Sequence, residues 1–292
     1  MTTSTIHNDE FIAFWNNVLV SKFERFRNIL MEGMSYHSET PLQKVRLPAQ
    51  AKALDVGCGW GDTALSLANR LGPDGSVIGL DCCDAFLEKG RSDAIAAALD
   101  NVRFIAADVQ GYPFTAEFDF CFSRFGMMFF SNPVAAMRNI HKALKPGGEL
   151  LFITWRKLEE NPWLSAGKDT VLQFLPPPGD DAQVCGPGPF SMANPEVVIQ
   201  QLQVAGYTDI RVEPIDGPVT AGNSLEQAVE FQLAIGPAGE IFREAGKIAE
   251  RRRPMIEHAL REKLAPFQNS DGKVIMESAS WAYHARNPLT EM

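Results

Sequence analysis

Between residues 50 and 156, short apolar runs alternate with segments of helical periodicity. Leu54-Asp55-Val56, Ser76 to Asp81, Asn101 to Asp108, Glu117 to Ser123 and Glu149 to Trp155 each read as a strand buried on both faces. Helices are expected after Gly61, over about 84–99, briefly after Asp108 and over about 133–144. Short strands alternating with helices imply a parallel sheet with right-handed crossovers, the doubly wound α/β class. Lys145-Pro146-Gly147-Gly148 marks a turn before the fifth strand.

The flanks have other patterns. Phe11, Phe14, Trp15, Val18, Leu19, Phe23, Phe26, Ile29 and Leu30 predict one long amphipathic N-terminal helix, followed by a connection marked by Pro41 and Pro48. Residues 157–193 are rich in proline and glycine and predict a long loop, a length that usually carries function. Asn194-Pro195-Glu196 starts a helix and Gly206 stops it. Strands are expected at about 207–213 and 273–284, with helical sequence over 223–267 between them. The chain therefore divides into a helical lid over 1–48, an α/β core over 49–156, a loop over 157–193 and a C-terminal part over 194–292 that carries a helical cap.

Composition narrows the class without changing that division. Apolar residues make up 45% and charged residues 22%, ordinary values for a globular protein. No apolar run reaches the length of a membrane span, and the first residues lack a signal pattern. A net charge of −9 argues against a nucleic-acid surface. Cys58, Cys82, Cys83, Cys121 and Cys185 form no C-x-x-C pair and no zinc spacing, which implies a reducing cytoplasm and no metal site. None of His7, His37, His141, His258 and His284 sits in a metal-ligand pattern.

The chemistry concentrates where the first strand breaks into Asp55-Val56-Gly57-Cys58-Gly59-Trp60-Gly61. Three glycines let the backbone turn tightly and approach a ligand where a Cβ would collide. The helix that follows turns its first N–H groups toward the same place. The spacing is G-x-G-x-G, whereas pyrophosphate sites of dinucleotide folds use G-x-G-x-x-G. Asp55 suits a cationic amine, reached directly or through water, better than a pyrophosphate. Asp81, 24 residues after Gly57, is placed to accept hydrogen bonds from ribose hydroxyls, or else to cap the next helix. Asp108 ends the third strand and is placed to accept from an adenine amino group, or to serve as a turn residue.

With these residues in order, the chain resembles the class I S-adenosylmethionine-dependent methyltransferases, and among them the ubiquinone and menaquinone biosynthesis C-methyltransferases. The likeness rests on Leu54 to Gly61, Gly79-Leu80-Asp81, Ala107-Asp108 and Leu144 to Gly148, and is dense over about residues 50–156. It implies a mostly parallel seven-stranded sheet ending in an antiparallel hairpin. It also implies S-adenosylmethionine as cofactor, with S-adenosylhomocysteine as product. The cofactor residues so implied are Asp55, Gly57, Gly59, Trp60, Gly61, Asp81, Cys82, Asp108, Val109, Ser123 and Arg124.

The acceptor is less legible. The run from Ser123 to Phe130 ends the fourth strand and suits a small apolar or aromatic acceptor, with Phe125 and Met128 as candidate wall residues. Arg124 has three readings: the cofactor carboxylate, an anionic substrate or a structural ion pair. Trp15 and His37 are candidate substrate contacts from the lid, and no residue stands out as a catalytic base. In-line methyl transfer to a small molecule is the leading activity. A nicotinamide oxidoreductase and a non-methylating relative that holds the same cofactor are the alternatives. A homodimer is compatible with the sequence.

Overall fold

A computed structural model describes residues 8–179 and 187–289. Cys185, His7 and Gly186 lie outside the described residues. Seven strands form one sheet: β1 Lys52–Val56, β2 Ser76–Asp81, β3 Val102–Ala106, β4 Phe118–Arg124, β5 Leu144–Trp155, β6 Thr208–Gly222 and β7 Val274–Arg286. Their order is β3-β2-β1-β4-β5-β7-β6. The first five run parallel, and β7 pairs antiparallel with both β5 and β6. The chain leaves β1 toward β2 on one side and reaches β4 on the other, so the crevice beyond the C-terminal end of β1 is the switch point where such sheets bind ligands.

Alternation along each strand explains why both faces are covered. Ala53, Phe120, Phe122, Leu151 and Ile153 pack on one face, with Leu42 of α4 (Ser35–Leu42) and Ala64, Leu67 and Leu71 of α5 (Asp62–Leu71). Leu54, Val56, Cys121, Leu150 and Phe152 point the other way, where Met137 and Ile140 of α7 (Pro133–Ala143) and Leu202 of α9 (Pro195–Ala205) meet them. Helix α7 begins where Asn132 accepts the Ala135 N–H at 3.0 Å, and Pro133 occupies its first turn. Helix α9 uses Asn194 and Pro195 in the same way and stops at Gly206.

Several local expectations need correction. The N-terminal segment is not one helix. It comprises α1 (Asp9–Phe14), a π-turn at Trp15–Leu19, α2 (Val20–Arg25) and α3 (Arg27–Glu32), with a break at Phe26. Phe14, Leu19, Val20 and Phe26 are all buried, yet the gaps of five and six residues between them exceed a helical repeat. The wider π-turn and the break bring them back to one side. Pro41 lies inside α4 and not in a connection, one residue from the helix end, so the single hydrogen bond its missing N–H removes falls in the last turn.

No helix forms after Asp108. Its carbonyl accepts from Gly111 and Tyr112, its side chain from the Gln110 N–H at 2.9 Å, and Pro113 ends the turn. The stretch 157–193 is not only loop, because it contains α8 (Pro162–Val171) with Trp163, Leu164 and Val171 buried. The turn at Lys145–Gly148 lies within β5 as a shift of register, with Gly147 at φ +81°. Both hairpin strands run longer than expected, β6 by eight residues, because they pair along almost their whole length. The helical stretch after β6 forms α10 (Leu225–Ala234) and α11 (Gly236–Leu264), the latter interrupted at Gly246.

Candidate active site

A cavity of about 370 Å³ opens beyond the C-terminal ends of β1, β2, β3 and β4. Its floor is the glycine turn. Gly57 has φ +64°, and a Cβ there would stand 3.0 Å from the Gly126 Cα. Gly59 has φ +53°, and a Cβ there would meet no protein atom within 4 Å. The turn thus keeps open the space that a side chain would fill, the property a close-lying nucleoside cofactor requires. Gly61 serves packing instead: a Cβ would come within 2.4 Å of the Phe104 ring.

The strand-end acids organise this half of the cavity. Asp81 accepts the Gly59 N–H and the Cys83 N–H, each at 2.9 Å, and lines the cavity beside Cys82. Burial raises its pKa, and those two N–H groups pull it back down. Asp108 also lines the cavity and accepts the Asn8 side-chain amide at 2.9 Å. Trp60 and Val109 are buried members of the same wall, and Trp60 packs on Phe86 at 4.8 Å between ring centres. The thiols of Cys58, Cys83 and Cys121 are pushed up: burial dominates for Cys58 and Cys121, and the hydrogen bond to Cys82 for Cys83. These three thiols stay protonated and unreactive near neutral pH.

Besides Gly61, three expected site residues are not on the wall. Asp55 is 0% exposed, and its carboxylate is engaged by the Thr63 hydroxyl beneath the turn. Burial lifts its pKa to about 7, and its place behind the turn keeps it off the cavity wall that a ligand amine would meet. Ser123 is likewise 0% exposed and lies under Gly126. His37 is sealed from the cavity between two serines of β7: Nδ1 lies 2.7 Å from the Ser280 Oγ and Nε2 2.7 Å from the Ser278 Oγ. The expectation that it touches substrate is therefore corrected. Its proximity to the lid in sequence gave no sign of partners more than 240 residues away.

Burial holds the His37 pKa down at about 4. The unfolded chain takes up a proton below about 6.5 while the folded protein does not, so stability is full above that pH and falls as pH drops toward 4. The loss expected from this group is about 3 kcal/mol. Urea unfolding across this range should show a shallower decline for His37→Asn than for the native chain, and parallel declines would contradict the assignment. Asp55 has the opposite sign: its contribution is present at low pH and fades as pH rises through about 7.

The remaining candidates do meet the cavity. Trp15 packs edge-on against Phe23 and Phe129, each at 5.0 Å, and Met128 lies beside them on the wall. Phe125 has φ +59°, a strained conformation for a bulky residue, and stacks on Trp155 at 3.8 Å. Arg124 pairs with Asp62 at 2.6 Å, and both line the cavity. Asp62, Asn8, Trp163 and Phe231 are wall residues that the sequence reading missed. Asp62 had one available signal, its position directly after the glycine turn.

The fold and the cradle together define a class. They are those of an S-adenosylmethionine-dependent methyltransferase of Rossmann-like fold. Residues 53–148 match the methyltransferase-domain family. The chain is 25% identical over 213 residues to demethylmenaquinone methyltransferases of Staphylococcus aureus strains, which covers 68% of this chain and 86% of theirs. In fold it is similar to the YcgJ protein of Bacillus subtilis, with a TM-score of 0.55 at 17% identity, over 86% of this chain and 97% of that one. It is also similar to Haemonchus contortus phosphoethanolamine N-methyltransferase 2 solved with S-adenosylhomocysteine, with a TM-score of 0.58 at 18% identity, over 96% of this chain and 61% of that one.

Proposed function

We propose that this enzyme methylates a small apolar or aromatic acceptor held against the cofactor in the aromatic half of the cavity. The observation that carries this reading is the composition of that wall. Phe23, Met34, Met128, Trp155, Trp163 and Phe231 surround the space beyond the glycine turn. The charged side chains on the cavity wall are Asp62, Asp81, Asp108, Arg124 and Glu240. No histidine, lysine or tyrosine is among the wall residues described. Such a wall favours an acceptor whose reacting atom is already nucleophilic, such as an electron-rich ring carbon or a phenolate, over one that needs an imidazole base. The reduced, hydroquinone form of the quinone named for the Staphylococcus aureus relatives has that character.

When bound, the cofactor supplies a methyl group activated by the adjacent sulfonium. The protein's share is binding, alignment and exclusion of water. Asp81 and Asp108 hold the nucleoside through its ribose and adenine, and the glycine turn sets its depth. The aromatic wall positions the acceptor for in-line attack, and such positioning supplies up to about 7–11 kcal/mol in well-oriented reactions. Aromatic faces near the sulfonium add about 1 kcal/mol. The N-terminal helices act as a lid, because Asn8 reaches Asp108, Asn16 reaches the Cys82 carbonyl at 3.3 Å, and Arg27 pairs with Asp93 at 3.1 Å. None of the described helices is long and apolar enough to cross a membrane. The free thiols of Cys58, Cys82, Cys83 and Cys121 support a reducing, cytoplasmic setting.

The direct test is transfer of a labelled methyl group from the cofactor to a panel of hydroquinones, phenols, alkylamines and sugars. Label should enter the aromatic members. Label confined to amines or sugars would overturn the acceptor class.

A further inference from the structure

We propose that Asp62 and Arg124 together grip the amino-acid end of the cofactor, Asp62 taking its ammonium group and Arg124 its carboxylate. The inference rests on the cofactor reading above and names the residues at the one end of that site still without partners.

Topology supplies the first argument. The sheet order is β3-β2-β1-β4, and the proposed adenine acid Asp108 follows β3 while the proposed ribose acid Asp81 ends β2. The cofactor is itself linear: adenine, ribose, sulfur, amino acid. Laid across the strand ends in that order, it brings its amino-acid end past β1 to the tip of β4. Arg124 is the last residue of β4, and Asp62 opens α5 directly after β1 and its glycine turn.

Charge and burial supply the second. Asp55, which the sequence offered for the ammonium group, is sealed beneath the turn. Arg124 is the single cationic side chain among the described wall residues. The Arg124 side chain is 12% exposed and that of Asp62 21%, so the pair acts in a partly desolvated setting where charge-assisted hydrogen bonds are strong. A side-by-side carboxylate and guanidinium complement a zwitterion, its ammonium facing Asp62 and its carboxylate facing Arg124. Arg124 uses one nitrogen on Asp62 and another, at 3.4 Å, on the Ser38 hydroxyl. A guanidinium carries five N–H donors, so donors remain for a carboxylate. Without cofactor the two side chains satisfy each other, and neither charge of the pair is left alone.

Titration calorimetry with three probes separates this clamp from other roles. The probes are S-adenosylhomocysteine, its decarboxylated amine, and 5′-methylthioadenosine, which lacks the amino-acid end. Asp62→Asn should weaken S-adenosylhomocysteine and the decarboxylated amine by about ten- to hundredfold. Arg124→Met should weaken S-adenosylhomocysteine by a similar factor and leave the decarboxylated amine within about twofold of native, since its partner group is absent. Arg124→Lys, which keeps the charge, should recover part of the loss. Methylthioadenosine should bind both variants as it binds the native enzyme, which also reports that they are folded. Equal losses on methylthioadenosine would overturn the proposal. So would unchanged S-adenosylhomocysteine affinity in Arg124→Met with a raised KM for the acceptor, which would assign Arg124 to the acceptor instead. Failure of the native enzyme to bind any of the three probes would overturn the cofactor reading itself.

Discussion

Gly59→Val should eliminate measurable binding of S-adenosylhomocysteine while leaving most of the fold intact. Two features of the position set this expectation. Its φ of +53° is one a β-branched residue adopts only at a cost of about 1–2 kcal/mol, which lowers the melting temperature without unfolding a chain of this size. A Cβ there meets no protein atom, so the valine methyls enter the cavity instead of forcing the turn apart. Affinity should fall by more than about hundredfold, because the ligand must move by the width of a side chain or lose its contacts with the turn. Gly57→Val should behave differently. Its Cβ would press on the Gly126 backbone at 3.0 Å, so stability and binding should fall together. Calorimetry beside thermal melts distinguishes the two, and native affinity in Gly59→Val would remove the turn from the site.

The second large effect is expected at Asp81. Asp81→Ala removes the carboxylate proposed to hold the ribose, worth about 1–3 kcal/mol of cofactor affinity. It also removes the acceptor for two backbone N–H groups, those of Gly59 and Cys83. The turn loses support as well as the ligand, so the measured loss should exceed that of a residue that only touches ribose. Asp81→Asn separates the parts: its one remaining oxygen still accepts from one N–H, so the melting temperature should recover more than the affinity does. Because burial raises the pKa of this acid, native affinity should also weaken as the solution is acidified and the carboxylate takes up its proton. Binding of S-adenosylhomocysteine by Asp81→Ala at native strength would exclude Asp81 from the site.

Much of the α/β core was legible because its determinants are local. The apolar alternation that defines β1, β2 and β4 lies within each segment, and so do the glycines that turn the chain after Val56. Asn132-Pro133 and Asn194-Pro195 cap helices through atoms two or three residues away. The N-terminal segment reads as one helix because its apolar spacing averages close to a helical repeat, and only its packing shows the π-turn that absorbs the misfit. Helix α8 was hidden by the prolines and glycines around it. Its apolar face becomes evident once Trp163 and Leu164 are seen buried, and α10 and α11 pack against it.

The sequence by itself determined the cradle, the order of the acids at the strand ends and hence the kind of cofactor. These depend on backbone freedom and on residues a few positions apart. Tertiary structure alone decided which of these side chains face the cavity. Asp55 and Ser123 fell behind the wall, His37 was closed off by serines from the last strand, and Asp62 met Arg124 across 62 residues of chain. The aromatic wall of the cavity likewise combines the N-terminal segment, β5, α8 and α10, each folding from a distant part of the sequence. A side chain's exposure and charge partners are set by what packs against it, and that information is distributed over the whole chain.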